Sequence, residues 1–163
     1  MEALTDDPAL SPRLVVKKCE EALEFYRRAL GAEERYRLVE KGTGRIGHAE
    51  MTIYGSVLML SSEYPEMGIL GSDGKSPVRL HLMVPDVDAA LERARAAGAT
   101  VIRPPTDEFY GHRAAVFDDP YGFNWMLGQE KEKLSPQEMQ RRYDALMDGM
   151  AGKKAGRAEA GGT

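Results

Sequence analysis

Cysteine is nearly absent from this chain. Cys19 is the only one in 163 residues, which excludes an intrachain disulfide or a Cys-rich zinc site and leaves Cys19 as a small packing residue. Long apolar runs are absent too: none approaches the roughly 20 residues that span a bilayer. The first residues, MEALTDDPAL, lack a basic segment followed by an apolar one, so no signal peptide and a cytoplasmic location are expected. Basic charge is not in excess. Twenty-two Lys and Arg are scattered among 26 Asp and Glu, for a net charge of −4, with no basic stripe of the kind a nucleic acid needs. Neither nucleic acid nor membrane is therefore an expected partner.

What the chain does have is a pattern stated twice. Ser11 to Gly31 runs proline, short alternating strand, Ala/Leu/Glu-rich helix, glycine, and Pro77 to Gly98 repeats that order. Val16 aligns with Val84, Ala22 with Ala90, Leu23 with Leu91 and Glu24 with Glu92. One repeat of this length is a duplicated supersecondary unit and not a solenoid.

In the first unit, Leu14 to Lys17 reads as a strand, with Leu14 and Val16 on one face and Arg13 and Val15 on the other. A helix follows from about Glu20, with Ala22, Phe25, Tyr26, Ala29 and Leu30 as its apolar stripe and Gly31 as its stop. Strands are predicted over Glu34 to Val39, Ile46 to Tyr54 and Val57 to Leu60.

The second unit gives Arg79 to Val84, a helix capped by Asp86, then Thr100 to Arg103 ended by Pro104-Pro105. Arg113 to Phe117 and Phe123 to Leu127 complete it. The fold class is α+β: two βαβββ modules, about 11–62 and 77–128, joined by a linker at 63–76 within a single domain of about 1–130. Ser135-Pro136-Gln137-Glu138 is a capping box that opens a further helix over about 134–150. Met1 to Leu10 reads as a loose arm, and 151–163 has the composition of a disordered tail.

A duplicated βαβββ unit with certain motifs resembles the vicinal oxygen chelate superfamily of glyoxalases, bleomycin-resistance proteins and extradiol dioxygenases, and within it a PhnB-like branch. The motifs are Ala22-Leu23-Glu24-Phe25-Tyr26, His48-Ala49-Glu50-Met51, Leu58-Met59-Leu60-Ser61, Tyr110-Gly111-His112-Arg113 and Asp119-Pro120-Tyr121-Gly122-Phe123-Asn124-Trp125. Leu134 to Met139 also resembles that branch. The resemblance implies curled mixed sheets forming a cup with helices outside, and a homodimer that the extra helix helps to cover.

Superfamily enzymes hold one divalent metal on inward-facing strand positions. By resemblance these fall on Ser11, Arg79 and Met126, with a fourth at Leu60 or a neighbour such as Ser62 or Glu63. Ser is a poor ligand, Arg cannot ligate, and a thioether suits soft metals, so this site looks dismantled and no cofactor is expected. Arg79 instead offers a cup a fixed positive charge for a carboxylate or phosphate, or pairs with an acid such as Glu50.

The expected ligand-binding residues are Arg79, His81, Arg13, His48, Glu50, Met126, Arg113 and Tyr110. Glu50 and His81 are the candidate catalytic acid–base pair. Three functions compete. The first is a dimeric, metal-free, small-molecule-binding protein that sequesters a drug or metabolite. The second is a lyase, isomerase or dioxygenase using Zn, Ni, Mn or Fe on His48, Glu50 and His81. The third is an interaction module with a vestigial cup.

Overall fold

The computed structural model describes residues 8–160, so the first seven residues of the expected arm and the last three of the expected tail lie outside the described residues. The first module is β1 (Arg13–Val16), α1 (Cys19–Leu30), β2 (Glu33–Val39), β3 (Ile46–Ile53) and β4 (Ser56–Ser62). The second is β5 (Arg79–Met83), α2 (Val87–Ala96), β6 (Thr100–Asp107), β7 (His112–Asp118) and β8 (Asn124–Glu130). Each module makes its own four-stranded mixed sheet with one order, β1-β4-β3-β2 in the first and β5-β8-β7-β6 in the second. The duplication read from the sequence is thus a duplication of topology.

Burial follows the predicted stripes. Ala22, Phe25, Tyr26, Ala29 and Leu30 of α1 are buried, and Gly31 closes the helix at φ 67°, a left-handed conformation that glycine adopts without strain. Asp86 caps α2 by accepting a hydrogen bond from the Ala89 amide at 3.0 Å. The two helices pack on each other and on one face of each sheet. Leu14, Val16, Ala49, Met51, Leu58 and Leu60 supply that face in the first sheet; Leu82, Ala115, Phe117, Trp125 and Leu127 supply it in the second. At about 1.5–3 kcal/mol for each large apolar side chain buried, this shared core is what joins the modules.

Two boundaries differ from the sequence reading by more than three residues, the ends of β6 and of the last helix. Pro104 and Pro105 do not end β6, which continues to Asp107. That strand is the edge of its sheet and its register shifts twice beside the prolines, so the missing amide donors break no ladder. The linker at 63–76 contains a single 3-10 turn at Pro65–Met67. The last helix, α3, runs Pro136–Ala160, ten residues beyond its expected end. Its continuation is Ala, Lys, Arg and Glu, good helix formers, with two glycines, Gly152 and Gly156. Ser135 caps it as expected, accepting from the Glu138 amide at 3.2 Å. No helix among the described residues is long and apolar enough to cross a membrane.

Candidate functional site on the helix-free faces

Strand alternation gives each sheet a second face, away from the helices. The pairings Arg13↔Met59 and Glu50↔Met59 place Arg13, Glu50 and Met59 on that face of the first sheet, with His48 and Ser61 in step. In the second sheet, Arg79↔Asn124 and His81↔Met126 place these four residues, with Met83 and Gly128, on the corresponding face. The predicted cup residues Arg13, His48, Glu50, Arg79, His81 and Met126 therefore do share helix-free faces, but on two separate sheets.

Glu50 is the centre of the first face. Its carboxylate is buried and accepts from Arg35 Nη1 at 2.8 Å, from the Tyr36 hydroxyl at 2.9 Å, and pairs with His48 Nε2 at 3.0 Å. A buried carboxylate is tolerated only when paired and hydrogen-bonded, and here both oxygens are engaged. Arg35 and Tyr36 are neighbours in sequence yet both reach Glu50, because the β2–β3 register shifts between Glu34 and Tyr36. Arg35 was not foreseen; nothing in a single sequence marks a bulge. Arg13 donates to the Gly47 carbonyl at 3.3 Å on the same sheet.

On the second face, Arg79 is exposed, His81 is exposed as a residue with its imidazole partly screened, and Met126 is half-buried. Arg79 does not meet Glu50, whose oxygens are already taken. The acid its charge reaches is Asp118, held below the usual carboxylate range by Asn124 and Lys75 first and Arg79 last. Burial, and then the neighbouring His112, hold the His81 imidazole below its ordinary 6.5. His112 is half-buried, and its Nδ1 has no hydrogen-bond partner among the described residues. Tyr110 packs edge-on against His112 at 5.4 Å, and Arg103 pairs with Glu108 at 2.8 Å close by.

Other expectations sort as follows. Arg113 is not a cup residue: it is held by Asp88 of α2 at 2.7 Å and Asp107 of β6 at 3.1 Å, on the helix side of the sheet. Leu60 and Ser62 point toward α1, so neither occupies an inward position on β4; Glu63 accepts from the Gly71 amide at 2.8 Å. His48 and Glu50 touch, but His81 lies on the other sheet. Among the described residues, no three of His, Cys, Asp or Glu converge in one chain to hold a metal. Cys19 is buried and its thiol is pushed up to about 11 by that burial, as suits a packing residue.

Two crevices lie between the modules. One of about 590 Å³ is bounded by Lys17, Lys18, Gly71, Lys75 and Tyr121, and holds none of the predicted site residues. Its lysines are each ion-paired, to Asp73, Glu21 and Asp118. Another, of about 360 Å³, runs from Pro12 and Leu58 to Leu80, His81 and Trp125. Neither encloses the Glu50 cluster.

The family model described as the glyoxalase/bleomycin resistance protein/dioxygenase superfamily matches residues 9–127. The uncharacterized protein Mb0911c of Mycobacterium bovis is 39% identical over 152 residues, covering 90% of this chain and 99% of that relative. Rv0887c of Mycobacterium tuberculosis is also 39% identical, over 90% and 89% of the two chains. Similar folds include TioX from Micromonospora sp. ML1, at TM-score 0.62 and 23% identity over 76% of this chain and 98% of that one. The fosfomycin resistance protein FosX from Listeria monocytogenes aligns at TM-score 0.61 and 17% identity over 83% and 99%.

Proposed function

Because the chain belongs to the glyoxalase/bleomycin resistance protein/dioxygenase superfamily, we propose that it binds a small molecule, without a divalent metal at the superfamily's positions, in a cup completed by a second copy. The observation that carries this reading is the pair of uncovered helix-free faces. In one chain these faces back onto a shared helical core, so they do not close over each other, and they leave Leu38 59% and Met83 44% exposed. Exposed apolar side chains on these helix-free faces, one of them beside the buried Glu50 cluster, are expected beneath a partner surface. A second copy supplies one by symmetry, setting the first face of one chain against the second face of the other.

The ligand class follows from the charges. Arg79 and Arg13 are exposed on these faces, whereas Glu50 is already satisfied by three donors. A carboxylate or phosphate with an apolar or aromatic body suits two guanidinium groups flanked by Met59, Met126 and Tyr36.

FosX has been crystallised with manganese(II). Here Ser11, Arg79 and Met126 do not fit such an ion: a hydroxyl, a guanidinium and a thioether offer it no anionic oxygen or imidazole.

The test combines elemental analysis, analytical ultracentrifugation and thermal-shift screening of anionic aromatic compounds. A dimer without stoichiometric divalent metal, and a ligand-induced shift lost in Arg79→Ala, are the expected results. One equivalent of Zn, Ni, Mn or Fe per chain, lost in His81→Ala, would overturn the reading in favour of a metal-dependent lyase, isomerase or dioxygenase.

A further inference from the structure

Beyond the ligand cup, the second sheet carries a group of donors that a search for hard or borderline metal ligands passes over. His81 and Met83 alternate with Leu82 along β5, so both project from the helix-free face. Their neighbour across the strand pair is Gly128, in register with Met83. A Cβ built on Gly128 would stand 2.8 Å from His81 Nε2 and 2.9 Å from Met83 Sδ. A side chain there would have to push both donor atoms aside, and as it stands they converge over one bare patch of backbone. Ala114, paired with Gly128 on the far side, keeps the floor low.

Two further donors flank this patch. Met126 is the register partner of His81 on the same face. His112 precedes Ala114 by two residues on β7 and so shares its face, and its buried Nδ1 is without a hydrogen-bond partner among the described residues.

We propose that His81 Nε2 and Met83 Sδ, completed by His112 and flanked by Met126, form a site for a soft monovalent metal ion, copper(I). The donor set decides the metal. Imidazole and thioether together favour copper(I), while magnesium, calcium and manganese require oxygen ligands that are missing here. Of the superfamily's ligand positions, Met126 is the one whose present side chain suits this change of chemistry. Cys19 is no competitor, since its thiol is buried on the helix side. Gly128 is then a specificity-determining residue, there to leave room for the donor atoms.

The experiment is an anaerobic titration of the full chain with copper(I), buffered by bathocuproine disulfonate, whose coloured complex reports the metal that the protein does not hold. One equivalent per chain is expected. Met83→Leu and His81→Ala are expected to weaken it by at least the roughly 10- to 100-fold that loss of a mere outer-shell partner costs. Gly128→Ala, which fills the patch, behaves alike, and Met67→Leu in the exposed linker turn leaves the affinity unchanged. Met83→Leu keeps volume at an exposed position, so its fold is secure. Failure of the wild-type chain to withdraw copper(I) from the chelator overturns the proposal. So does retention of full affinity in both Met83→Leu and His81→Ala, which would place the metal elsewhere.

Discussion

The Tyr26 hydroxyl donates to Asp119 Oδ2 at 2.5 Å, joining the helix of the first module to the last turn of the second. Asp119 is buried and also accepts from Trp125 Nε1 at 2.9 Å and from the amides of Tyr121 and Phe123 at 2.8 and 3.0 Å. Four donors on one carboxylate make it the polar hinge-pin of an otherwise apolar junction. Asp119→Ala strands them all, and a cost of about 3 kcal/mol or more is expected. Urea denaturation would measure it, and a loss under about 1 kcal/mol would mean water replaces the carboxylate.

That same bond has an alkaline consequence. Burial first, and then the Asp119 charge, push the Tyr26 phenol well above its ordinary value of 10. A group whose folded-state pKa is raised gives stability that is complete below its unfolded value and is lost as pH rises above it. Stability is therefore expected to fall steeply above pH 10, and Tyr26→Phe to flatten that limb while lowering the plateau. Equal slopes in the two proteins would remove Tyr26 as the cause.

Glu50 invites a graded substitution. Glu50→Ala leaves the Arg35 guanidinium, 16% exposed, without its carboxylate, and a loss of about 3 kcal/mol is expected. Glu50→Gln keeps acceptor and shape and is expected to lose about half as much. If the two cost the same, it is the negative charge that matters. If neither costs more than about 0.5 kcal/mol, the cluster is no structural centre.

The duplication, the helices and the inward faces were legible because alternation and the 3.6-residue stripe are local. Trp125 could be assigned to the core from its position opposite Met126, and it is buried there. The ionic centres were not legible. Asp119 sits in a turn whose sequence reads as solvent-exposed, yet it is held inside by partners as far away as Tyr26. Arg35 reaches Glu50 through a register shift, and Arg113, which alternation leaves ambiguous near a strand end, is taken by acids on α2 and β6. Pairing of charges depends on contacts between elements, which no single stretch encodes.

His81 offers a direct check on the second face. Its titration midpoint, followed through imidazole nitrogen shifts, is expected below 6.5. Since burial is the larger cause and His112 the smaller, His112→Ala should restore only part of the difference. A depressed folded-state value means that any stability His81 contributes is present above its unfolded pKa and lost as pH falls through the lowered one. A midpoint at or above 6.5 would indicate an acidic neighbour, the signature of a different contact across the cup.

The last helix tests the proposed pairing of two copies. Among the described residues, α3 is tied down near its start, by Arg142 to Glu132 at 2.9 and 3.0 Å and by Tyr143 against Phe109 at 5.5 Å. Exposed ion pairs of this kind hold about 1 kcal/mol at most. Further along, Leu146 is 43% and Met150 50% exposed on the side that Tyr143 begins. The double substitution Leu146→Glu and Met150→Glu changes only surface positions of the single chain, so its folding stability should stay within about 0.5 kcal/mol. If the stripe lies on the second copy, self-association measured by ultracentrifugation weakens by at least about tenfold, because two buried apolar contacts per chain become buried charges. Unchanged self-association would place the stripe in solvent and leave the helix-free faces as the whole of the interface.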